Sequence, residues 1–336
     1  MRPLLHPMLV NGRYGDPALY VETLFEKHAV LFDLGEITSL SPRKIHRIDR
    51  IFVSHAHIDH LVGFDHILRL LVGRGKTLQL YGPSGFAERI YHKLQGYSWN
   101  LSNLYRNDLV LVVNEVVSLE QVRKKRFRLK NAFVAEEFGS HALPDGVLHR
   151  GSNYRIYTVI LDHRVPCLGF ALRETTHVNV WKPRLLERGL TVGPWLRELK
   201  RAFVECRPDD YPINVEGAAA ASSRQLPLGE LRDLLTATSG QKIAYVTDVA
   251  DTQANRRAIV ELALNADLLF IEAAFAKADA ALAADRAHLT TEAAGRIARA
   301  AGVRRVEPFH FSARYKGQEQ RMMREVSTAF AGCSVE

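Results

Sequence analysis

The chain has 336 residues, of which 47% are hydrophobic, so it can bury a large core and is not expected to be disordered overall. Its formal net charge of +8 is compatible with a polyanionic partner, because lysine and arginine side chains bind phosphates. No apolar run approaches the roughly 18 residues that span a bilayer, and residues 1–7 do not resemble a secretion signal. We therefore expect a cytoplasmic protein that has no membrane partner.

Segments of strand type alternate with segments of helical periodicity along the whole chain. The predicted strands cover residues 29–33, 50–54, 77–81, 109–113, 155–161, 167–173, 242–247, 267–272 and 304–308. The predicted helices cover residues 64–72, 85–94, 228–236, 256–265 and 291–301. Because both kinds of element occur throughout, we expect one layered α/β or α+β domain covering residues 1–336.

The segment of residues 175–210 departs from this alternation. It is basic, and helical periodicity is found only in residues 195–203. Glycine and proline interrupt it at Pro183, Gly189, Gly193, Pro194 and Pro208. We expect this segment to form an inserted, protruding arm and not a part of the core.

The three cysteines are spread along the chain without a C-x-x-C pair. They are Cys167, Cys206 and Cys333. This spacing argues against a disulfide framework and against a zinc site built from thiolates. Any metal ion would therefore be bound by imidazole and carboxylate groups.

The strongest chemical signal is Ser54-His55-Ala56-His57-Ile58-Asp59-His60, at the end of a predicted strand. It contains four potential ligands within six residues, and the chain can turn there so that imidazole and carboxylate groups converge on a cation. Neutral imidazole offers a lone pair near pH 7, which makes histidine a common zinc ligand. A solvated, histidine-rich turn is the alternative, but the spacing H-x-H-x-D-H after a strand favours a metal site.

The motif H-x-H-x-D-H resembles the signature of the metallo-β-lactamase superfamily. Further segments resemble the other motifs of that superfamily, in the expected order along almost the whole chain. These segments are Phe32-Asp33-Leu34-Gly35-Glu36, Leu161-Asp162-His163, Tyr245-Val246-Thr247-Asp248 and His310. The resemblance implies an α+β protein with the αββα sandwich of this superfamily, from which the arm protrudes.

Several segments resemble one family of this superfamily, ribonuclease Z. They include residues 270–275 and 293–301, Leu161-Asp162-His163 with the following Gly169-Phe170 and Glu174, His288-Leu289-Thr290, His310-Phe311-Ser312-Ala313-Arg314-Tyr315 and Gly189-Leu190-Thr191-Val192-Gly193-Pro194, the last of which resembles the glycine-proline motif of the family's tRNA-binding arm. The resemblance implies a metal-dependent endoribonuclease that removes the 3′ trailer of precursor tRNA by metal-hydroxide attack on a phosphodiester. It also implies a homodimer.

The resemblance further implies two zinc ions per subunit, although the same ligands accept manganese, iron or cobalt. The ligands implied for one ion are His55, His57 and His163, those for the other are Asp59, His60 and His310, and Asp248 would bridge both ions. Such a pair of ions activates water and stabilises charge on phosphodiester oxygens.

The resemblance implies three roles beyond metal binding. Asp59 would accept a proton from the attacking water, and His288 would assist the leaving group or the transition state. Asp33 would orient the metal-binding loop without touching the metal. Structural alternatives stay open, because Asp33 could only start a turn and Thr290, beside His288, suits a helix cap.

Two basic segments could contact the phosphates of RNA. For residues 123–128, a solvated strand edge that discourages aggregation is at least as good an explanation. The other segment is the arm. Its implied tRNA-binding residues are Lys182, Arg184, Arg188, Gly193, Pro194 and Arg197.

The chain departs from the ribonuclease Z pattern in three places. Residues 8–13 lack the family's glycine-threonine-glycine turn, Thr247 and Val249 flank Asp248 where glycine and threonine are usual, and residues 101–151 are additional. These departures leave open an alternative hydrolase that acts on a small phosphodiester, a sulfate ester or a lactone, with the arm as a lid or dimer contact. A third hypothesis, an RNA-binding or assembly protein with little catalytic activity, is disfavoured because all seven implied ligands are present.

Overall fold

The structure is a computed structural model that describes residues 5–24, 27–151, 153–217 and 223–332. In chain order its strands are β1 Leu5–Leu9, β2 Leu19–Thr23, β3 Ala29–Phe32, β4 Ile48–Phe52, β5 Lys76–Pro83, β6 Leu109–Ser118, β7 Gln121–Arg128, β8 Glu136–Ala142, β9 Val147–Arg150, β10 Tyr154–Asp162, β11 Pro166–Glu174, β12 His177–Val180, β13 Pro212–Glu216, β14 Ser223–Pro227, β15 Leu235–Thr238, β16 Lys242–Val246, β17 Leu268–Glu272 and β18 Val306–Phe309. The α-helices are α1 Pro42–Arg47, α2 Phe64–Leu71, α3 Phe86–Gln95, α4 Lys182–Glu187, α5 Trp195–Val204, α6 Leu228–Leu231, α7 Gln253–Ala263, α8 Ala280–Asp285, α9 Thr291–Ala300 and α10 Glu319–Ala331. None of the helices in these described ranges has the length and apolar composition needed to cross a bilayer.

Two large sheets contain most of the strands. The first consists of β1 to β8 in sequence order, with parallel pairing from β3 to β6 and antiparallel pairing on either side. The second has the order β18-β17-β16-β11-β10-β9, in which β16, β17 and β18 are parallel. Because β11 and β16 are antiparallel neighbours, the chain can leave the second sheet after β11 and return to it at β16.

Successive residues of a strand point to opposite sides, so each sheet has two faces. The two sheets pack against each other with their inner faces. In β3, Val30 and Phe32 join a buried cluster that contains residues of both sheets, whereas Ala29 and Leu31 join a cluster with α1, α2 and α3. The ring of Phe32 lies 5.6 Å from that of Phe170 in the second sheet. On the outer face of the second sheet, a third cluster includes residues of α7, α9 and α10. The expected αββα sandwich is therefore confirmed.

A second compact unit, Glu174–Gly240, is inserted between β11 and β16. It contains α4, α5 and α6 and two small sheets, in which β12 pairs with β15 and β13 pairs with β14. It has its own buried cluster, which consists of Leu185, Leu190, Trp195, Leu199, Ala202, Ile213, Val215, Leu228, Leu231 and Leu234. The predicted arm, residues 175–210, is thus one part of a larger folded unit.

Two element predictions in this unit are wrong or incomplete. The helix predicted over residues 228–236 ends at Leu231, and β15 occupies Leu235–Thr238 because this segment pairs with β12. The arm also contains a second helix, α4, before the predicted one. Both features depend on packing within the unit, which outweighs local propensity.

Candidate metal centre

The predicted metal ligands lie on loops that follow strands of both sheets. After β4 come His55, His57, Asp59 and His60. His163 follows β10, Asp248 follows β16 and His310 follows β18. The loop after β3 passes very close to the histidine-rich loop, since a Cβ atom added to Gly35 would lie 2.8 Å from the backbone oxygen of Asp59. Glycine at position 35 therefore permits this close approach.

The structure brings the residues of each predicted ligand set together. One nitrogen or oxygen atom from each member of the first set lies within 4.8 Å of the corresponding atoms of the others, and the same holds for the second set. The first set is His55, His57, His163 and Asp248, and the second is Asp59, His60, Asp248 and His310. Asp248 belongs to both sets, which is the position that a bridging carboxylate requires. That these residues bind metal ions stays a prediction.

The donor atoms fit a divalent cation. Within the described residues, His55 Nε2 and His60 Nε2 are buried and have no hydrogen-bond partner. A buried polar atom without a partner costs about 1–3 kcal/mol, so the lone pair of His55 Nε2 needs a ligand. Burial, together with the neighbouring imidazoles, lowers the pKa of His55 to about 2, which keeps this ring in the neutral form that binds metals.

The carboxylates make the same pocket attractive to positive charge. Burial disfavours the charged form of His60, but the carboxylates of Asp248 and Asp33 raise its pKa to about 10. Burial likewise opposes ionisation of Asp59, yet its hydrogen bond with His310 lowers its pKa to about 2. In both cases the electrostatic effect outweighs burial, so the pocket stabilises either a proton or a metal cation.

Asp33 lies beneath the pocket and is completely buried. Its Oδ1 accepts a hydrogen bond from the backbone N–H of Ser54 at 2.6 Å, and its Oδ2 accepts one from the Tyr245 hydroxyl at 2.8 Å. The same Oδ2 lies 3.0 Å from His60 Nδ1. This contact directs His60 Nε2 towards the pocket, as partners of metal-binding histidines do.

Three residues around the pocket have a left-handed backbone conformation that side chains with a Cβ rarely adopt. Asp33, Asp248 and His310 have φ values of 56°, 45° and 58°. Such a conformation costs on the order of 1–3 kcal/mol and persists only where the surrounding structure enforces it. The fold therefore accepts local strain in order to aim these side chains.

His288 lies beside the pocket and is held by a residue to which the sequence analysis gave no role. His288 Nδ1 is 2.8 Å from Glu272 Oε2, and Glu272 is completely buried. Glu272 Oε1 also accepts the backbone N–H of Val249, next to Asp248, at 2.7 Å. Although burial opposes it, the Glu272 carboxylate raises the pKa of His288. The one signal in the sequence was an acidic residue at the end of the apolar strand β17.

The loop before α9 can provide both a helix cap at Thr290 and a functional side chain at His288. Thr290 caps α9, since its hydroxyl accepts the backbone N–H of Ala293 at 3.1 Å. This leaves His288 free to pair with Glu272. The ring of His163 is fixed by the same loop, because its Nδ1 lies 2.8 Å from the backbone oxygen of Ala287.

The centre opens into a cavity of about 600 Å³. Five of the ligand candidates and His288 line it, and its lining also includes Tyr14, Asp16, Arg164, Asp285, Arg286 and Ser312. This volume lies in the range of small-molecule binding pockets, about 300–1,000 Å³.

Among the described residues no cysteine belongs to a group of potential metal ligands, although Cys167 Sγ lies 3.9 Å from His55 Nδ1. The groups of potential ligands found there contain only histidine, aspartate and glutamate. Cys167 is fully buried nearby, and burial raises the pKa of its thiol well above the usual value, so it stays protonated. Cys333 lies outside the described residues.

The basic segment of residues 123–128 is not at a sheet edge, because β7 lies between β6 and β8. The prediction of a solvated edge is therefore wrong. Four of its basic side chains form ion pairs, at 2.9, 3.3, 2.7 and 2.9 Å, and these are Arg123–Glu115, Lys125–Glu137, Arg126–Glu136 and Arg128–Asp108. These ion pairs explain the cluster of basic residues as stabilisation between strands. Few of its positive charges are left free to bind RNA.

The basic residues predicted for tRNA binding lie in the unit Glu174–Gly240 and fall into two groups. Arg184 and Arg188 pair with Asp233 at 3.5 and 2.5 Å. Lys182 and Arg197 form no ion pair with any described residue, and they remain the better candidates for phosphate contacts. Gly193 and Pro194 form the turn before α5, where a Cβ atom on Gly193 would displace the carboxylate of the exposed Glu216 side chain.

Comparison with known proteins adds two kinds of similarity. Residues 31–119 and 218–311, more than half of the chain, match the family described as "Beta-lactamase superfamily domain". The ribonuclease Z of Deinococcus radiodurans is 33% identical over 304 residues, which are 89% of this chain and 87% of that protein. The ribonuclease Z of Thermobifida fusca is 30% identical over 315 residues, or 92% of this chain and 83% of the relative.

Solved structures resemble the fold at lower identity. The short form of human tRNase Z aligns with a TM-score of 0.55 and 19% identity, covering 93% of both chains. A metallo-β-lactamase fold protein from Bacillus subtilis aligns with a TM-score of 0.54 and 16% identity, covering 97% of this chain and 94% of the other. At these identities the likeness supports the fold and carries no argument about the substrate.

Proposed function

The chain belongs to the ribonuclease Z family of the metallo-β-lactamase superfamily, and from this premise we propose that it is a metal-dependent endoribonuclease that removes the 3′ trailer of precursor tRNA. The observation that supports this most strongly is the meeting of two potential metal-ligand sets at Asp248, with the Glu272–His288 pair beside them. The family uses divalent metal ions. The proposal also includes a homodimer in the cytoplasm, where precursor tRNA would be the partner.

The two ligand sets would hold two zinc ions per subunit, and manganese, iron or cobalt are the alternatives that histidine and carboxylate ligands accept. Two such cations, when bound, lower the pKa of a water molecule and stabilise negative charge on phosphodiester oxygens. Asp33 would keep His60 aimed at one cation, and Ala287 would do the same for His163 through its backbone oxygen.

Two side chains of the pocket would move protons. Asp59 lies at the cavity with its Oδ2 3.5 Å from both His60 Nε2 and His310 Nε2, so it can accept the proton of the attacking water. His288 keeps its Nδ1 on Glu272, which leaves the other ring nitrogen free to donate a proton to the leaving oxygen. Asp59 would then take a proton from the nucleophile, and His288 would give one to the leaving group.

A cleavage assay on precursor tRNA tests the proposal. The purified protein, supplied with zinc or manganese, is expected to release the 3′ trailer and to hydrolyse the small diester bis-p-nitrophenyl phosphate. His57→Ala should abolish both activities, because it removes a ligand of one cation. His92→Ala, which changes an exposed histidine on α3 outside the cavity, is the control and should leave both activities unchanged.

The same assay separates the alternatives. Intact protein that hydrolyses small esters but leaves precursor tRNA uncut would replace the proposed substrate with a small ester. Tight tRNA binding without either activity would favour an RNA-binding role. Sedimentation of the purified protein tests the homodimer.

A further inference from the structure

Two arginines line the cavity that opens from the candidate metal centre. Arg164 and Arg286 are both exposed, and neither forms an ion pair with a carboxylate of the described residues. Arg184 and Arg188, in the other unit, are by contrast paired with Asp233. The guanidinium groups at the cavity are therefore available to an incoming anion.

Arg164 and Arg286 are each next in sequence to a residue of the contact between His163 and Ala287. Arg164 directly follows His163, and the His163 ring contacts the backbone oxygen of Ala287, which directly follows Arg286. The Arg164 guanidinium also donates to the backbone oxygen of Ala284 at 3.4 Å, so it reaches the loop that carries Arg286. The two side chains thus start from neighbouring points on the cavity wall.

Both turns are held in conformations that non-glycine residues rarely adopt. Arg164 has a φ of 59° and Ala287 a φ of 57°. The backbone N–H of Arg164 donates to the Asp162 side chain at 2.8 Å, which stabilises the first turn. The strained turns fix the backbone at Arg164 itself and at Ala287, the residue after Arg286.

Charge makes the arginines distinctive within the cavity. They are the only lysine or arginine side chains in its lining as the described residues define it. The lining also contains four carboxylates, which are Asp16, Asp59, Asp248 and Asp285. Asp59 and Asp248 would be neutralised by bound cations, but an RNA chain carries further phosphates that need their own partners.

We propose that Arg164 and Arg286 together bind a phosphodiester next to the scissile one and so position the RNA chain in the cavity. This inference rests on the proposed function, since it assumes a substrate with consecutive phosphates. Guanidinium groups suit the task because their donors match phosphate oxygens in a bidentate geometry. A small diester has one phosphate and cannot use this site, which gives the proposal a specific signature.

The test compares two substrates for the same variants. Arg164→Gln and Arg286→Gln should each raise the KM for precursor tRNA roughly tenfold, leaving kcat within about twofold and hydrolysis of bis-p-nitrophenyl phosphate unchanged. The lysine variants should lie in between, because they keep the charge but lose the bidentate fork. The matched control is Arg324→Gln, at an exposed arginine of α10 that forms no ion pair with any described residue and is outside the cavity lining.

Two further readouts distinguish an electrostatic role from a structural one. Each glutamine variant should reduce the slope of log KM against log salt concentration by about one, as the loss of one phosphate contact does. Asp285→Asn removes the carboxylate next to Arg286, at the end of α8, and should lower the KM for precursor tRNA severalfold. A structural role would predict neither change.

Specific results would overturn the proposal. An unchanged KM for precursor tRNA in the double variant, with cleavage otherwise intact, excludes the phosphate site while leaving the proposed function standing. Equal losses on both substrates with reduced metal content would show that the arginines only support the fold. Wild-type protein that hydrolyses the small diester but not precursor tRNA would overturn the proposed function and this inference together.

Discussion

The buried carboxylate of Glu272 determines how His288 is presented to the cavity. One of its oxygens binds the His288 ring and the other binds the backbone of Val249, next to Asp248. Glu272 therefore supports both the proton donor and the bridging ligand of the proposed mechanism, without lining the cavity itself.

Glu272→Gln should lower kcat for precursor tRNA on the order of 100-fold, because the amide can still accept from Val249 but cannot balance a charged His288. Metal content and KM should change little, which kinetics and elemental analysis would check. Glu261→Gln, at an exposed position on α7, is the control and should behave like wild type. A variant with full kcat would show that the His288–Glu272 pair has no part in catalysis.

Asp33→Asn tests the support beneath His60. With its oxygen accepting from Ser54, the amide would present an NH2 group to Tyr245 and His60, and this group cannot accept from either. We expect metal affinity to fall 10- to 100-fold, since residues that orient metal ligands have effects of this size. Competition with a chromogenic chelator measures it. Undiminished metal affinity in a folded variant would contradict the role of Asp33.

These residues also show how far the sequence alone could predict the site. His55, His57, Asp59 and His60 are close in sequence, so spacing alone indicated a metal site. His163, Asp248 and His310 are distant from them in sequence and were placed by family resemblance. Glu272 was missed because a single carboxylate at a strand end gives no pattern until the strand's neighbours are known.

A histidine on the edge strand β9 is expected to make the folded state less stable in acid. His149 lies on this strand, and its Nε2 is buried without a hydrogen-bond partner among the described residues. Burial, assisted by Arg50, lowers the pKa of His149 to about 4, whereas an unfolded histidine titrates near 6.5. Between these values only the unfolded state gains the proton, so the contribution of His149 to stability is lost as the pH falls from about 6.5 to 4.

His149→Gln should therefore reduce the acid sensitivity of folding. The loss in free energy of unfolding between pH 7.5 and 4.5, measured by urea denaturation, is expected to be smaller in the variant than in wild type. Comparing this pH difference cancels the contributions of other titrating groups. An equal or greater loss of unfolding free energy in the variant would contradict the lowered pKa of His149.

Strands and helices were predictable where one buried face dominates. The strands β3, β4 and β16 and the helix α2 lie within two residues of their predicted ends, because their apolar residues face a core. The helix predicted over residues 228–236 failed because residues 235–238 pair with β12, more than fifty residues earlier. Local periodicity carries no information about such a partner.

The whole molecule consists of a sandwich and a separately folded insertion, and the boundary of the insertion was underestimated from sequence. The composition of residues 175–210 marked the arm, but its core also needs Ile213, Val215 and Leu231. A deletion limited to residues 176–207 would leave these side chains exposed. Removal of the insertion must therefore include the complete unit.

Residues 174–241 can be replaced by Asn-Gly, because Arg173 lies opposite Lys242 in neighbouring antiparallel strands and a two-residue turn can join them. We expect the shortened protein to fold, to bind metal and to hydrolyse bis-p-nitrophenyl phosphate at the wild-type rate. Its KM for precursor tRNA should rise at least tenfold if the insertion binds tRNA. An unchanged KM for tRNA would show that Lys182, Arg197 and their neighbours have another role.

Zinc titration of the metal-free protein tests whether cleavage of precursor tRNA depends on the candidate metal centre. Chelator-treated protein should leave precursor tRNA uncut. As zinc is added, release of the 3′ trailer should rise and reach a plateau at two equivalents per chain, because both ligand sets must be filled. Cleavage by metal-free protein, or no cleavage of precursor tRNA after two equivalents have bound, would contradict the account.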